Sequence, residues 1–559
     1  MNRKIVFASI TIAVIVNCVI SVFSQKKTDY TQYFSEKDLR STVKYLSDDG
    51  FEGRGPGTRG GELAAKYIAN RLELAGIKAG NNGSFFQAVP LVGLKPDPNT
   101  ILHLSKKNDD KRFGFNFGTD WVGFTDAQKD DVTVEGDLVF VGYGIDAPEQ
   151  NWNDYKGDPN KYKGKILLML VNDPPATAKE PNLFGGKALT YYGRWTYKYE
   201  EAARKGAAGV ILLHTDESAG YPWQVVETSF GGTKRYDIAR SADSKTPFLQ
   251  LKAWMKDSSA MEFIKNSGMN LSDLMEKAKT RDFQPVDLKT KISVNLKAEL
   301  ERVDSNNVVG IWEVSDAKLK DEYVIYTAHW DHIGIGKPDK TGDTIYNGAL
   351  DNASGVAQIL AVAEAFTKLP KNQQPKRSQV FLFVTAEEQG LLGSEYYNQN
   401  PIFPLDKTAA NINIDGGNFY GKTNDFGALG AERSTLGKFI DDELKMRNMK
   451  FSPDTHPEQG SFYRSDHFPF AKKGVPSLSI HSGTDYIGKP ADFAEKTFAE
   501  FNKNHYHQPS DEFREDWVYD GMVQTLDVVL AIGLRASNAE KLPAYKAGDE
   551  FAKAQPSRK

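Results

Sequence analysis

The sequence predicts an α/β sandwich built around a largely parallel sheet. From Asn307 onward, short apolar runs alternate with stretches of helical periodicity, the pattern of strands joined by crossover helices. Several of those runs end directly on His, Asp or Glu, as strands do when their carboxyl ends line a site. The chain has 559 residues, 40% hydrophobic and 26% charged, an ordinary globular composition with length for several domains.

Residues 1–24 read as a secretory signal. Arg3 and Lys4 precede an apolar run from Ile5 to Phe23, and Val22 and Ser24 suit a small-residue cleavage site before Gln25. Retention of the run as a membrane anchor, or lipidation at Cys18, are the alternatives. Without a retained signal, no membrane span is expected in the mature chain. Cleavage removes the single Cys and leaves 68 basic against 74 acidic residues. One Cys excludes an intrachain disulfide framework. The absence of a basic excess argues against a nucleic-acid partner.

Residues 25–130 open the main domain. Ser35–Leu46 is expected to be a short helix, and Gly53-Arg54-Gly55-Pro56-Gly57-Thr58 a loop. Leu63, Tyr67, Ile68, Leu72 and Ala75 then recur at helical spacing until Gly76. Residues 131–290 read as a separate, inserted domain of mixed α/β type. Its strands are expected at Gly136–Asp146, Lys165–Val171 and Ala208–His214, and a helix at Glu200–Gly206. Residues 291–545 return to the main domain. Strands are expected at Val308–Glu313, Tyr323–Thr327, Val380–Thr385, Asn411–Ile414 and Leu478–Ile480, and helices at Ser354–Leu369 and Gly521–Ala536. Residues 546–559 form a tail.

The chemistry-bearing residues sit at the ends of these elements. Seven of the nine His fall between His329 and His507. Strand Tyr323–Thr327 leads into His329-Trp330-Asp331-His332, Val380–Thr385 into Glu387-Glu388, and Asn411–Ile414 into Asp415. Asp351 stands in a loop before a helix, and His507 in a late loop. Carboxylates gathered on one rim repel and raise one another's pKa, and divalent cations resolve that conflict. Imidazole with carboxylate suits zinc, and a carboxylate bridging two ions is the usual two-metal arrangement. Adjacent glutamates leaving a strand end can divide the work, one ligating and the other serving as general base.

Taken in order, His329-x-Asp331, Asp351-Asn352-Ala353-Ser354-Gly355, Glu387-Glu388-x-Gly390, Asp415 and Tyr506-His507 resemble the site motifs of the co-catalytic di-zinc aminopeptidase family, which also contains glutamate carboxypeptidase II and the transferrin receptor. The resemblance is strong over about 300–540, and Glu52–Thr58 resembles the start of the same fold. It implies a three-layer sandwich with a mixed, mostly parallel sheet, and the inserted segment looks like a protease-associated domain. It further implies two zinc ions, one held by His329 and Asp415, the other by Glu388 and His507, with Asp351 bridging. Glu387 would be the general base for a zinc-bridging hydroxide. Asp331 would accept a hydrogen bond from His329, and Tyr506 would donate to the tetrahedral oxyanion. A cis peptide is expected at Asp351-Asn352.

The implied activity is that of an exported metallo-aminopeptidase acting on peptide substrates. A glutamate-releasing carboxypeptidase, a glutaminyl cyclase and a non-catalytic receptor on the same fold are the rivals, and the oligomeric state is left open. No Arg cluster marks a carboxylate pocket, and none of the five metal-ligand positions is degenerate. His332 reads as a neighbour of the site and His505 as a loop residue. His467, in Ser465-Asp466-His467, divides between a pocket and a structural role.

Overall fold

In the computed structural model, strand Tyr323–His329 lies between Ser378–Val384 and Thr408–Ile414 and runs parallel to both. Thr408–Ile414 pairs in parallel with Ser477–Ser482. Antiparallel strands flank this centre. Val286–Trp312 pairs with Ser378–Val384 and then with Phe86–Pro96, and Asp425–Leu429 pairs with Ser477–Ser482. The sheet is mixed and parallel at its centre, as expected. Residues 29–555 are described, apart from 108, 110, 220–221, 232–233 and 242. The signal expected in residues 1–24 lies outside them. No described helix is long and apolar enough to cross a membrane.

Alternation along the strands divides the core into two layers. Val324, Tyr326, Ala328, Phe381 and Phe383 pack on one face of the sheet. There they meet Val356, Leu360 and Phe366 of helix Ser354–Lys368 and Leu526 and Leu530 of helix Asp520–Asn538. Ile325, Val380, Leu382 and Val384 pack on the other face with Tyr397 and Phe470. Strands covered on both faces read as continuous apolar runs, which is why these were legible.

Local signals set the flanking helices. Ser35 Oγ accepts the N–H of Asp38 at 3.2 Å and starts helix Glu36–Leu46, whose buried stripe is Leu39, Val43 and Leu46. Thr58 Oγ1 caps helix Arg59–Leu74 through the N–H of Gly61 at 3.2 Å. Both lie on the face that carries Ser354–Lys368.

A second sheet has its own core. Gly209–His214 lies between Ile166–Leu170 and Leu251–Lys256, parallel to both, with Asp131–Phe140 and Trp121–Phe124 outside them. Leu168, Ile211, Trp254 and Phe140 pack together there. The strand expected at Gly136–Asp146 runs Asp131–Phe140, and the helix expected at Glu200–Gly206 runs Trp195–Arg204. Val286–Trp312 is one strand of 27 residues shared by the two sheets. Only its last residues were expected. Its earlier part alternates buried Leu288, Thr290, Ile292, Val294 and Leu296 with outward polar residues, the signature of a sheet with one solvated face.

Candidate metal centre

Strand Tyr323–His329 ends on His329, Glu387 and Glu388 follow Ser378–Val384, and Asp415 follows Ile414. Parallel pairing puts these ends on one rim. Asp351 enters from the turn Ala349–Ala353 ahead of helix Ser354–Lys368, and His507 from the loop after helix Phe493–Asn504.

Asp351 turns one oxygen to each of two imidazoles. Oδ1 is 3.2 Å from His329 Nε2, and Oδ2 is 3.4 Å from His507 Nε2. His329 Nε2 is also 3.1 Å from Asp415 Oδ1, and His507 Nε2 is 2.9 Å from Glu388 Oε2. The fold therefore makes two half-sites, His329 with Asp415 and His507 with Glu388, on either side of one carboxylate. All five residues expected to ligate metal are brought together.

Neighbouring groups hold this arrangement. The Asp351-Asn352 peptide is cis, as expected. Asn352 Oδ1 accepts the N–H groups of Gly355 and Gly416 at 2.8 and 3.0 Å, and its Nδ2 donates to Ile414 O at 3.2 Å. That side chain ties the Asp351 turn to the strand end that carries Asp415. Ser465 Oγ donates to Asp415 Oδ2 at 2.7 Å, leaving Oδ1 facing His329.

Two expectations change in detail. His329 Nδ1 meets the backbone carbonyl of Asp331 at 3.1 Å, whereas the Asp331 carboxylate is 3.8 Å away. The carbonyl, rather than the carboxylate, orients the imidazole. The Asp331 side chain instead accepts the N–H of Glu387 at 3.1 Å. His332 is closer to the chemistry than a bystander, because its Nδ1 is 2.6 Å from Glu388 Oε1. Glu388 thus stands between two imidazoles. His332 also falls in a possible donor set with Asp351 and Glu388. His507 Nε2 faces oxygens of two carboxylates, Asp351 and Glu388, and His332 Nδ1 faces one, Glu388 Oε1.

Tyr506 lies flat on His507, with ring centroids 3.8 Å apart. His467 is buried edge-on against Phe462 at 4.8 Å, and burial pushes its pKa down to about 3, so it packs as a neutral ring. His505 is held within its loop by Ser510, with Nδ1 3.0 Å from the Ser510 carbonyl.

The cluster is short of positive charge. Burial lowers the pKa of both imidazoles, yet the carboxylates outweigh it. Asp415 and Glu387 hold His329 well above the usual imidazole value, and Glu388 and Asp351 raise His507 to about 10. Burial pushes Glu387 well above the carboxylate range, and Asp415, Asp466 and Glu388 add to it. His329, Asp351 and Asp415 bring ligand atoms within 4.8 Å of one another, as do His329, Glu387 and Glu388. Imidazole and carboxylate donors around an anionic centre fit zinc.

Some of these contacts had no sequence signal. Arg54, from a Gly-rich loop, donates to the carbonyls of Asn347 and Gly348, and Asp511, from the loop after His507, accepts the N–H groups of Leu350 and Asp351, with no spacing that ties either to Asp351. Asn352 and Ser465 lie within the Asp351–Gly355 and Ser465–His467 motifs, but their bonds depend on side-chain direction.

Residues 307–532 match the model described as Peptidase family M28. Aminopeptidase NAALADL1 of Mus musculus is 34% identical over 134 residues, 23% of this chain and 16% of that protein. Leucine aminopeptidase 2 of Trichophyton rubrum is 28% identical over 227 residues, 39% of each chain. The matched stretches thus span well under half of these relatives. Among solved structures, an aminopeptidase from Aneurinibacillus sp. strain AM-1 superposes with a TM-score of 0.48 at 16% identity, over 92% of this chain and 96% of that one.

Proposed function

With residues 307–532 belonging to peptidase family M28, we propose that the protein is a zinc-dependent aminopeptidase that removes N-terminal residues from peptides. The observation that carries the reading is the pair of half-sites sharing Asp351 through its opposite oxygens. His329 and Asp415 would hold one zinc ion, His507 and Glu388 the other, with Asp351 between them. Ions held there polarise a carbonyl and lower the pKa of water.

The chain's own residues do the rest. Glu387 adjoins the ligand Glu388, and its N–H is anchored on Asp331. Beside the ligand Glu388, it would take a proton from the attacking water and return it to the leaving amine. Tyr506 is about half exposed and stacked on His507, and its phenol pKa is raised above the usual value. It stays protonated and can donate to the oxyanion. The aminopeptidase sense is supported by the names of the similar NAALADL1 and leucine aminopeptidase 2. The apolar run Ile5–Phe23 behind Arg3 and Lys4 supports export.

Hydrolysis of aminoacyl-p-nitroanilides by the zinc-loaded protein, abolished by a chelator and restored by zinc, tests this reading. Peptides with a free amino terminus should be shortened from that end, and their N-acetylated counterparts left intact. Release of C-terminal residues, or no hydrolysis of any peptide, would overturn it.

A further inference from the structure

The loop that delivers Asp351 is held from both sides by charges that touch none of the metal ligands' side chains. Arg54 is 1% exposed, and its guanidinium makes four hydrogen bonds, each to a backbone carbonyl. Nε donates to Trp330 O at 2.9 Å, Nη1 to Leu46 O at 2.7 Å and Asn347 O at 2.6 Å, and Nη2 to Gly348 O at 2.8 Å. The Arg54 carbonyl accepts the N–H of His332 at 3.3 Å. One residue therefore grips the segment that follows His329 and the segment that leads into Asp351.

The same loop meets a negative charge with its amides. Asp511 Oδ1 accepts the N–H of Leu350 and Oδ2 that of Asp351, each at 3.0 Å, and the Asp511 carbonyl accepts the N–H of Ala349 at 2.9 Å. Carbonyls of Asn347 and Gly348 point to a cation while the next amides point to an anion. Peptide dipoles aligned between opposite charges resist reorientation, and more so out of water, where such interactions strengthen.

We infer that Arg54 and Asp511 form a positioning couple that clamps the Asn347–Asp351 loop by its carbonyls and amides and so sets the Asp351 carboxylate midway between the two half-sites. The inference rests on the metal centre proposed above. Burial draws the Arg54 pKa down to about 10, with Asp511, Asp331, Asp351 and Glu388 opposing the drop. The guanidinium therefore keeps its charge at neutral pH. Lysine cannot replace it. Three donors on one ammonium cannot span carbonyls of Leu46, Trp330, Asn347 and Gly348, which a planar fork with five donors reaches.

Arg377 supplies the control. It is equally buried and donates to the carbonyls of Ala536, Ser537 and Ala539, but it sits at the other end of the sheet, beside Ser378 where the parallel strands begin. Arg54→Lys, Arg54→Gln and Arg377→Gln would be compared with the wild type by chelator-competition zinc titration, by hydrogen exchange of the Leu350 and Asp351 amides, and by the split between kcat and KM.

Arg54→Gln and Arg54→Lys should both weaken zinc about 10–100-fold. Both should speed exchange at Leu350 and Asp351 and lower kcat more than KM. Arg377→Gln should lower the melting midpoint while leaving zinc affinity, kcat and those two amides at wild-type values. If Arg54→Gln does not fold, Arg54→Lys carries the test. Unchanged loop exchange in a folded Arg54 variant would overturn the clamp, and so would equal zinc loss in Arg377→Gln. Exchange is read on the metal-free protein as well. A wild type that binds no zinc would therefore sink the functional reading while still leaving the clamp to be judged by its amides.

Discussion

The carboxylate of Asp331 accepts the backbone N–H of Glu387 at 3.1 Å. This bond joins the end of strand Tyr323–His329 to the end of Ser378–Val384. It sets the height at which the two adjacent glutamates leave the sheet. Removing it should disturb the base and the ligand together. Asp331→Ala is expected to weaken zinc about 10–100-fold, in the range for groups that support metal ligands. Wild-type zinc affinity by chelator competition would show that the bond is dispensable.

Glu387 and Glu388 should separate cleanly. Glu387→Gln keeps the size and removes the proton acceptor. It should lower kcat by about 10²–10⁴-fold, the usual range for a general base, with metal content near wild type by atomic emission. Glu388→Gln should instead lose metal. Equal metal loss in both variants would reverse the assignment.

Asp351 touches both imidazoles, so its loss should be felt on both sides. Asp351→Ala is expected to lose both metal equivalents, and Asp415→Ala only one. Retention of two zinc ions by the Asp351 variant would argue against a shared carboxylate.

The ion-pair cluster where helices Leu392–Gln399, His467–Lys472 and Trp195–Arg204 meet carries a pH dependence with a definite sign. Lys472 Nζ is 2.9 Å from Glu395 and 3.2 Å from Glu200. Burial raises the Glu395 pKa, but Lys472 outweighs it and holds the group below its usual 4.5. A depressed carboxyl contributes stability that is complete above its unfolded value and lost as pH falls through the folded one. Lys472→Met should therefore reduce stability at neutral pH and flatten the loss below about pH 4.5. Denaturant midpoints from pH 7 to pH 3 would measure it. An acid limb of wild-type steepness would refute the pairing.

Phe366 packs against Tyr326 and Phe381 with ring centroids 5.8 and 6.1 Å apart, beneath the strand that bears His329. Phe366→Ala should destabilise by about 3–5 kcal/mol, the sum of lost burial and a cavity. Denaturant unfolding would read it, and a loss below about 1 kcal/mol would mean that the core collapses around the gap.

The apolar runs and the residues that end them already specify the parallel centre of the sheet and the His, Asp and Glu side chains gathered at its rim. Strands such as Ser378–Val384 are buried on both faces, so their apolar runs end abruptly where chemistry begins, and His329, Glu388 and Asp415 sit just at or past those ends. Register then follows from pairing, and no long-range information is needed to see that the ends converge. Tertiary structure decided the rest. It chose the Asp331 carbonyl over its carboxylate as the partner of His329, brought His332 onto Glu388, and placed Arg54 and Asp511 on opposite sides of the Asp351 loop. His332 and Glu388 meet side chain to side chain, but the other contacts run through backbone groups, and Arg54 lies 294 residues from Gly348 in the sequence. A backbone carbonyl or amide is the same at every position, so no residue type announces in advance which one a side chain will find.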